Sequence, residues 1–206
     1  MLKITSYIMF VMCMIVPLYA NDIYVTQSGA NLDLDITQDG SNNTVGNSTT
    51  ASTSTGATTV LDIDQVGNSN DVDLNCDSAG NNSSCGTVTA NITWTGNSND
   101  IDLDIGETSD ASNTTVNITG QSGSDSNVVA ATIDGTSAIL TLTVNGDTNN
   151  YLIDIDGDGD VNGHTLIHTH TGSIADVDIT QSGVNDNYIS LTTSGDNADI
   201  DISQTD

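Results

Sequence analysis

Apolar and polar positions alternate along most of this chain, in short runs that each close on a glycine. The stretch Leu61–Leu74, LDIDQVGNSNDVDL, shows the unit at its plainest. Leu61, Ile63 and Gln65 alternate with Asp62 and Asp64, which predicts a strand with one covered face. Gly67 and the cluster Asn68, Ser69, Asn70 supply turn chemistry, after which Val72 and Leu74 resume the alternation against Asp71 and Asp73. No helical stripe competes with this pattern, and Gly, Thr, Ser, Asn and Asp are poor helix formers. The pattern predicts an all-β chain.

The unit recurs. Turn glycines are expected at Gly29, Gly40, Gly67, Gly96, Gly123, Gly146, Gly172, Gly183 and Gly195. Two residues before them stand Gln27, Gln38, Gln65, Trp94, Gln121, Val144, His170, Gln181 and Thr193, and Gln204 continues the step. Aliphatic residues fill most positions two and four residues further back. At Gly123 an extra glycine, Gly120, moves Ile118 out of phase, which predicts a bulge. The glycines lie 11, 27, 29, 27, 23, 26, 11 and 12 residues apart, a half-period and a stretched whole period. Such self-similarity predicts a β-solenoid of stacked strand-turn-strand repeats, about seven rungs with two strands each. Residues 44–59, 76–86 and 106–113 are poor in apolar side chains and are expected as loops on one end of the arches. One arch cannot cover its own apolar face, so stability must come from neighbouring rungs.

Residues 1–20 stand apart. Lys3, the only basic residue, precedes the apolar run Ile8–Leu18, and Ala20 follows. This is the layout of a secretory signal peptide cut after Ala20, and the run is too short to span a bilayer. Residues 21–206 are then one exported repeat domain, with no membrane insertion of the mature chain expected. All 28 acidic residues and no Lys or Arg lie in it, so its formal charge is −28. Without cations it cannot hold phosphates, which excludes nucleic acid and nucleotides as partners. Cys76 and Cys85, flanking a short polar loop, are expected to form a disulfide outside the cell.

Gln65-Val66-Gly67-Asn68-Ser69-Asn70 carries the spacing Q-x-G-x-x-N, Gln27 and Gln38 stand eleven residues apart, and Gln181, Thr193 and Gln204 continue nearly the same step. In these residues the chain resembles the curlin repeat of curli subunits over most of residues 23–204. It departs from that family where Trp94, Val144, His170 or Thr193 replaces Gln, in its long loops and in its lack of basic residues. The resemblance implies a cell-surface, amyloid-like fibre grown by self-association, with a nucleator subunit and outer-membrane secretion machinery as partners and adhesion and biofilm matrix as roles. Rungs about 4.8 Å apart would let inward Gln27, Gln38, Gln65, Gln121, Gln181 and Gln204, with Trp94 and His170, stack as a ladder. The alternation runs from Ile23 to Gln204, so neither end is expected to carry a polar cap, and open edges template further pairing. Outward Asp62, Asp64, Asp73, Asp102, Asp104, Asp178, Asp199 and Asp201 should stack as acidic columns, so that salt or divalent cations would favour assembly.

Other chemistry is sparse. Asp154, Asp156, Asp158 and Asp160, with Gly159 between them, have the spacing of a calcium loop, although Thr165 stands where a bidentate Glu belongs. His164, His168 and His170 could share a metal, or His168 and His170 could sit inside the stack in the register of Ile and Gln. No catalytic constellation emerges and no enzyme is expected; Ca²⁺ is the one candidate cofactor. The alternative to a fibre is a soluble acidic solenoid that binds calcium or ice. Thr53/Thr55, Thr141/Thr143 and Thr169/Thr171 motivate the ice-binding reading, but as read from sequence these pairs fall in different registers.

Overall fold

The computed structural model describes residues 22–27, 31–40, 42–46, 51–54, 57–67, 69–76, 86–106, 111–121, 123, 126–157, 163–183 and 187–205. Among them are seventeen strands and no helix. In chain order the strands are β1 (Asp22–Ile23), β2 (Thr26–Gln27), β3 (Asn31–Asp39), β4 (Thr44–Val45), β5 (Ser52–Ser54) and β6 (Thr58–Val66). Then come β7 (Asp71–Cys76), β8 (Thr87–Thr95), β9 (Asp100–Ile105), β10 (Asn113–Gly120), β11 (Val128–Asp134) and β12 (Ala138–Asn145). The last five are β13 (Asn149–Asp156), β14 (Thr165–Thr171), β15 (Ala175–Ser182), β16 (Tyr188–Ser194) and β17 (Asp199–Thr205).

From β5 onward successive strands go to opposite sheets, while β1 with β2 and β4 with β5 each share one. The first sheet runs β1-β4-β7-β9-β11-β13-β15-β17, with β2 and β5 beside that path; the second runs β16-β14-β12-β10-β8-β6-β3. Strands one coil apart pair in parallel, as Ile63 with Ile92 and Leu103 with Ala131. The chain is therefore a β-solenoid, and the seven strands of the second sheet are its rungs. The arch Leu61–Leu74 is not a hairpin: β6 bonds to β3 and β8, and β7 to β4, β5 and β9.

The alternation explains this division. Every second residue faces the space between the sheets, and like stacks on like: Ile36, Ile63, Ile92, Ile118 and Leu142 form one column, and Val45, Val72, Ile101, Val129, Tyr151 and Val177 another. All of these are buried. Each contributes about 1.5–3 kcal/mol on burial, but only when a coil lies on both sides of it.

The turns follow from close approach of the coils. A side chain at Gly67 would lie 1.7 Å from the Gly40 carbonyl oxygen, and one at Gly195 would lie 1.6 Å from that of Gly172. Two residues after Gly67 and Gly96 the chain enters the left-handed region, with Ser69 at φ 60 and Ser98 at φ 59.

Two expectations need correction. Residues 44–59 are not merely a loop, because β4, β5 and the start of β6 lie there and complete a rung. β10 also holds no bulge: it pairs without interruption with β8 and β12, and Gly120 itself occupies the position opposite Trp94 and Val144. A Cβ on Gly120 would come 2.7 Å from the Trp94 ring, so the indole fills the space a Gln side chain would need. Seven residues, 121–127, separate β10 from β11, against four, 96–99, between β8 and β9.

Candidate functional site

The expected glutamine ladder is two short ladders on different sheets. On the second sheet Gln38 pairs with Gln65, Gln65 with Trp94, and the column continues through Gly120, Val144, His170 and Thr193. On the first sheet Gln181 follows Ile155 and is followed by Gln204, while Gln27 pairs with Ser54. Gln121 joins neither; it is exposed just beyond β10. Where two Gln meet they bond: the Gln65 amide donates to Gln38 Oε1 at 2.8 Å, and that of Gln204 to Gln181 Oε1 at 3.1 Å. The Gln38 and Gln65 amides also reach across their turns to the Thr44 and Asp71 carbonyls, at 3.4 and 3.5 Å. The ladder stops at Trp94, and Gln65 Oε1 is left buried without a donor.

The longer polar ladder is asparagine. Asn43, Asn70, Asn99, Asn127 and Asn149 stack at one corner, all buried. The Asn99 amide donates to Asn127 Oδ1 and the Asn127 amide to Asn149 Oδ1, each at 2.9 Å. The same oxygens accept backbone N–H groups, Asn127 Oδ1 that of Asn99 at 3.1 Å and Asn149 Oδ1 that of Asn127 at 3.0 Å. Asn70, Asn99, Asn127 and Asn149 each thereby satisfy the turn of the coil before their own, which is why a polar side chain tolerates burial here, whereas Asn43 Oδ1 is buried without a donor. The recurrent Asn three or four residues after a turn glycine is its sequence signal. Ala175 ends the column opposite Asn149.

The three histidines do not form one cluster. His164 stands at the opposite corner, where its Nδ1 accepts the Ala138 N–H at 3.1 Å and its own N–H donates to Asn187 Oδ1. His168 lies in the aliphatic column between Leu142 and Leu191. Both of its ring nitrogens are buried without a partner, and its ring meets the Tyr151 edge at 4.5 Å. Burial and then neighbouring His170 push its pKa down to about 4. His170 is held by the Tyr151 hydroxyl, 2.9 Å from Nδ1, a bond that ties the two sheets across the interior. Burial raises the Tyr151 pKa and lowers that of His170.

The two outer faces differ in charge. Asp71 and Asp73 on β7 pair with Asp100 and Asp102 on β9, and Asp176 and Asp178 on β15 pair with Asp199 and Asp201 on β17. The acidic columns are not continuous, since Ala130 and Leu152 stand between Asp102 and Asp178. Desolvation, then Asp100, Asp73 and Asp102, push Asp71 up to about 6; Asp73, Asp100 and Asp102 are raised as well. Asp62 and Asp64 lie on the second sheet, opposite Asp35 and Thr37. Beyond β6 the second sheet carries no charged residue: β8, β10, β12, β14 and β16 are TVTANITWT, NTTVNITG, AILTLTVN, TLIHTHT and YISLTTS.

Of the proposed calcium loop, Asp154 and Asp156 lie on β13, while Asp158 and Asp160 fall outside the described residues. One oxygen of Asp156 already accepts the Gly157 N–H and the Ser182 hydroxyl, both at 2.6 Å, which lowers its pKa. No group of three metal-ligating side chains occurs among the described residues. Cys76 is buried at the end of β7 and disulfide-bonded; Cys85 lies outside the described residues, as do Gly29 and the leader, residues 1–20. Gly40, Gly67, Gly96, Gly123, Gly146, Gly172, Gly183 and Gly195 all lie in turns, Gly183 against the His164 ring.

At the far end of the stack the inner residues are uncovered. Ile200 and Ile202 are 38% and 47% exposed, against 0% and 2% for Val177 and Ile179 one coil earlier. Among the described residues no strand pairs beyond β16, β17, β3 or the β1–β2 segment. Comparison with family models, with curated proteins and with solved structures finds no match to this chain.

Proposed function

We propose that this chain is the structural subunit of an extracellular, curli-like amyloid fibre, exported after loss of its leader and grown by adding copies end to end. The observation that carries the reading is the pair of open edges, with Ile200 and Ile202 left exposed in line with buried columns. β17 and residues 22–27 also correspond at their inward positions, Ile200, Ile202 and Gln204 against Ile23, Val25 and Gln27. Continuing the register of β15 on β17 sets Ile23 of a second copy over Ile200, Val25 over Ile202 and Gln27 over Gln204. The Gln181–Gln204 bond then extends by one more step. On the first sheet a stack grown this way keeps the backbone groups of neighbouring copies paired along the fibre axis. The curlin-like spacing, with a nucleator and a secretion machinery as partners and adhesion and matrix building as roles, belongs to the same proposal.

Acidic pairs oppose growth. Asp199 would meet Asp22 at the junction, and repulsion between exposed carboxylates is screened once the Debye length falls to about 3 Å near molar salt. The test is to purify residues 21–206, raise salt or calcium, and follow dye binding and fibre diffraction. Fibres with a repeat of about 4.8 Å are expected, forming faster at high salt. A protein that stays monomeric under all these conditions sinks the reading.

A further inference from the structure

The second sheet carries a rank of threonines that no fibre junction uses. Thr93, Thr119, Thr143, Thr169 and Thr192 are successive partners in β8, β10, β12, β14 and β16, one unbroken outward column. The pairs Thr141/Thr143 and Thr169/Thr171, which sequence spacing sets in different registers, therefore share this column through Thr143 and Thr169. Beside it on one side runs a neutral column of Asn91, Asn117, Thr141, Ile167 and Ser190, with Thr89, Thr115, Ile139, Thr165 and Tyr188 beyond that, and on the other side lie Asn145, Thr171 and Ser194. Ile139, Ile167 and Tyr188, 41%, 39% and 56% exposed, complete the face.

We infer that this face is an adsorption surface for ordered water, and that its ligand is the surface of an ice crystal. The first argument is charge. The mature chain holds 28 carboxylates, yet these five strands hold none, while the sheet behind them turns Asp100, Asp102, Asp176, Asp178, Asp199 and Asp201 outward. A strongly hydrated carboxylate disrupts a lattice of neutral water molecules; a hydroxyl and a methyl do not.

The second argument is spacing. Neighbouring rungs repeat at about 4.8 Å and alternate residues of one strand at about 6.6 Å. Tetrahedral water bonded at about 2.75 Å places second-neighbour oxygens about 4.5 Å apart, and stacks its hexagonal layers with a repeat of about 7.3 Å. The step along the threonine column and the step to the uncharged columns beside it lie within about a tenth of these two repeats.

The third argument is rigidity. A hydroxyl that exchanges one water for another gains little, so adsorption needs many groups held in place before contact. Threonine is stiff at χ1, and every strand here is bonded on one side or both. A polysaccharide surface fits less well, because Tyr188 is the only aromatic ring turned out on this face and Trp94 is buried.

The test is slow freezing of a dilute solution of residues 21–206 on a cold surface, measuring the protein in the ice and in the remaining liquid. Thr143→Tyr places a bulky ring mid-column, and Thr132→Tyr makes the same change on the opposite sheet. Wild type and Thr132→Tyr should be taken up by the ice and restrain its recrystallisation; Thr143→Tyr should be rejected into the liquid while its thermal unfolding is unchanged. Rejection of the wild-type protein overturns the inference. So does equal uptake of all three proteins, or a face-to-face dimer that Thr143→Tyr dissociates without any change in ice uptake. Ice uptake is read on the soluble protein, so it is scored independently of fibre growth.

Discussion

His168 is the least comfortable residue in the interior. A position that its column neighbours fill with Leu142 and Leu191 holds an imidazole with two unpartnered nitrogens. His168→Leu removes those groups and should stabilise the fold by about 1–3 kcal/mol in a denaturant titration. Its pKa is depressed on folding, so the stability it permits is present above about 6.5 and is lost as pH falls toward about 4. Asp71 acts in the opposite sense. Its folded pKa is raised to about 6 by burial and by Asp100, Asp73 and Asp102, so its contribution is present at low pH and is lost as pH rises through about 6. Melting temperatures from pH 7 to 4.5 should therefore fall least, or even rise, in His168→Leu, and fall most in Asp71→Asn. An identical pH profile for the two variants contradicts this assignment.

At the scale of the rung, the corner asparagines and one tryptophan determine how coils fit. Asn127 accepts from the backbone and the side chain of Asn99 and donates to Asn149. Asn127→Ala should cost on the order of 1–3 kcal/mol for each buried group left unpaired, measured by urea unfolding. Trp94 and Gly120 form the other fitted pair. Gly120→Gln should destabilise by about 1–3 kcal/mol through overpacking, and Trp94→Gln should relieve it. A double-mutant cycle with a coupling of at least about 0.5 kcal/mol is expected; additivity would mean that the two do not share one space. These details were only partly legible. The Asn recurrence is plain in the sequence, but not that it forms the longest polar ladder. The spare residues near Gly120 read as a bulge because spacing counts residues without locating them, whereas the bulk of Trp94 decides which residue lies beneath it.

For the whole molecule the question is how one copy meets the next. Along its path the first sheet has eight strands and the second has seven. If β16 of one copy pairs with β3 of another, β17 and residues 22–27 compete for a single place. With residues 22–27 seated on β17 instead, β16 and β3 of neighbouring copies stay unpaired, so removing residues 22–27 distinguishes the two junctions. If residues 22–27 make the junction on β17, a chain lacking them is expected to form fibres with a longer lag in dye-binding kinetics. Ile202→Lys, which puts a charge on the exposed end of an apolar column, should prevent growth at any salt concentration. Faster growth on deletion, which the β16–β3 pairing would give, or normal growth of Ile202→Lys, points to a different junction.

The alternation of residues such as Leu61, Ile63 and Gln65 was enough to establish strands, arches and a stack, because a period of two leaves a chain one way to bury its apolar half. It also established an acidic exterior without cations. It could not say which residues lie above one another. That depends on the register between coils, and the excursions between coils differ in length. Once the coils pack, register separates the glutamines into two columns, isolates His164 from His168, and breaks the acidic columns at Ala130 and Leu152. It also brings five threonines from five strands into one line. Contacts across a solenoid are made by residues one coil apart, and only the packing of backbone against backbone determines which residues those are.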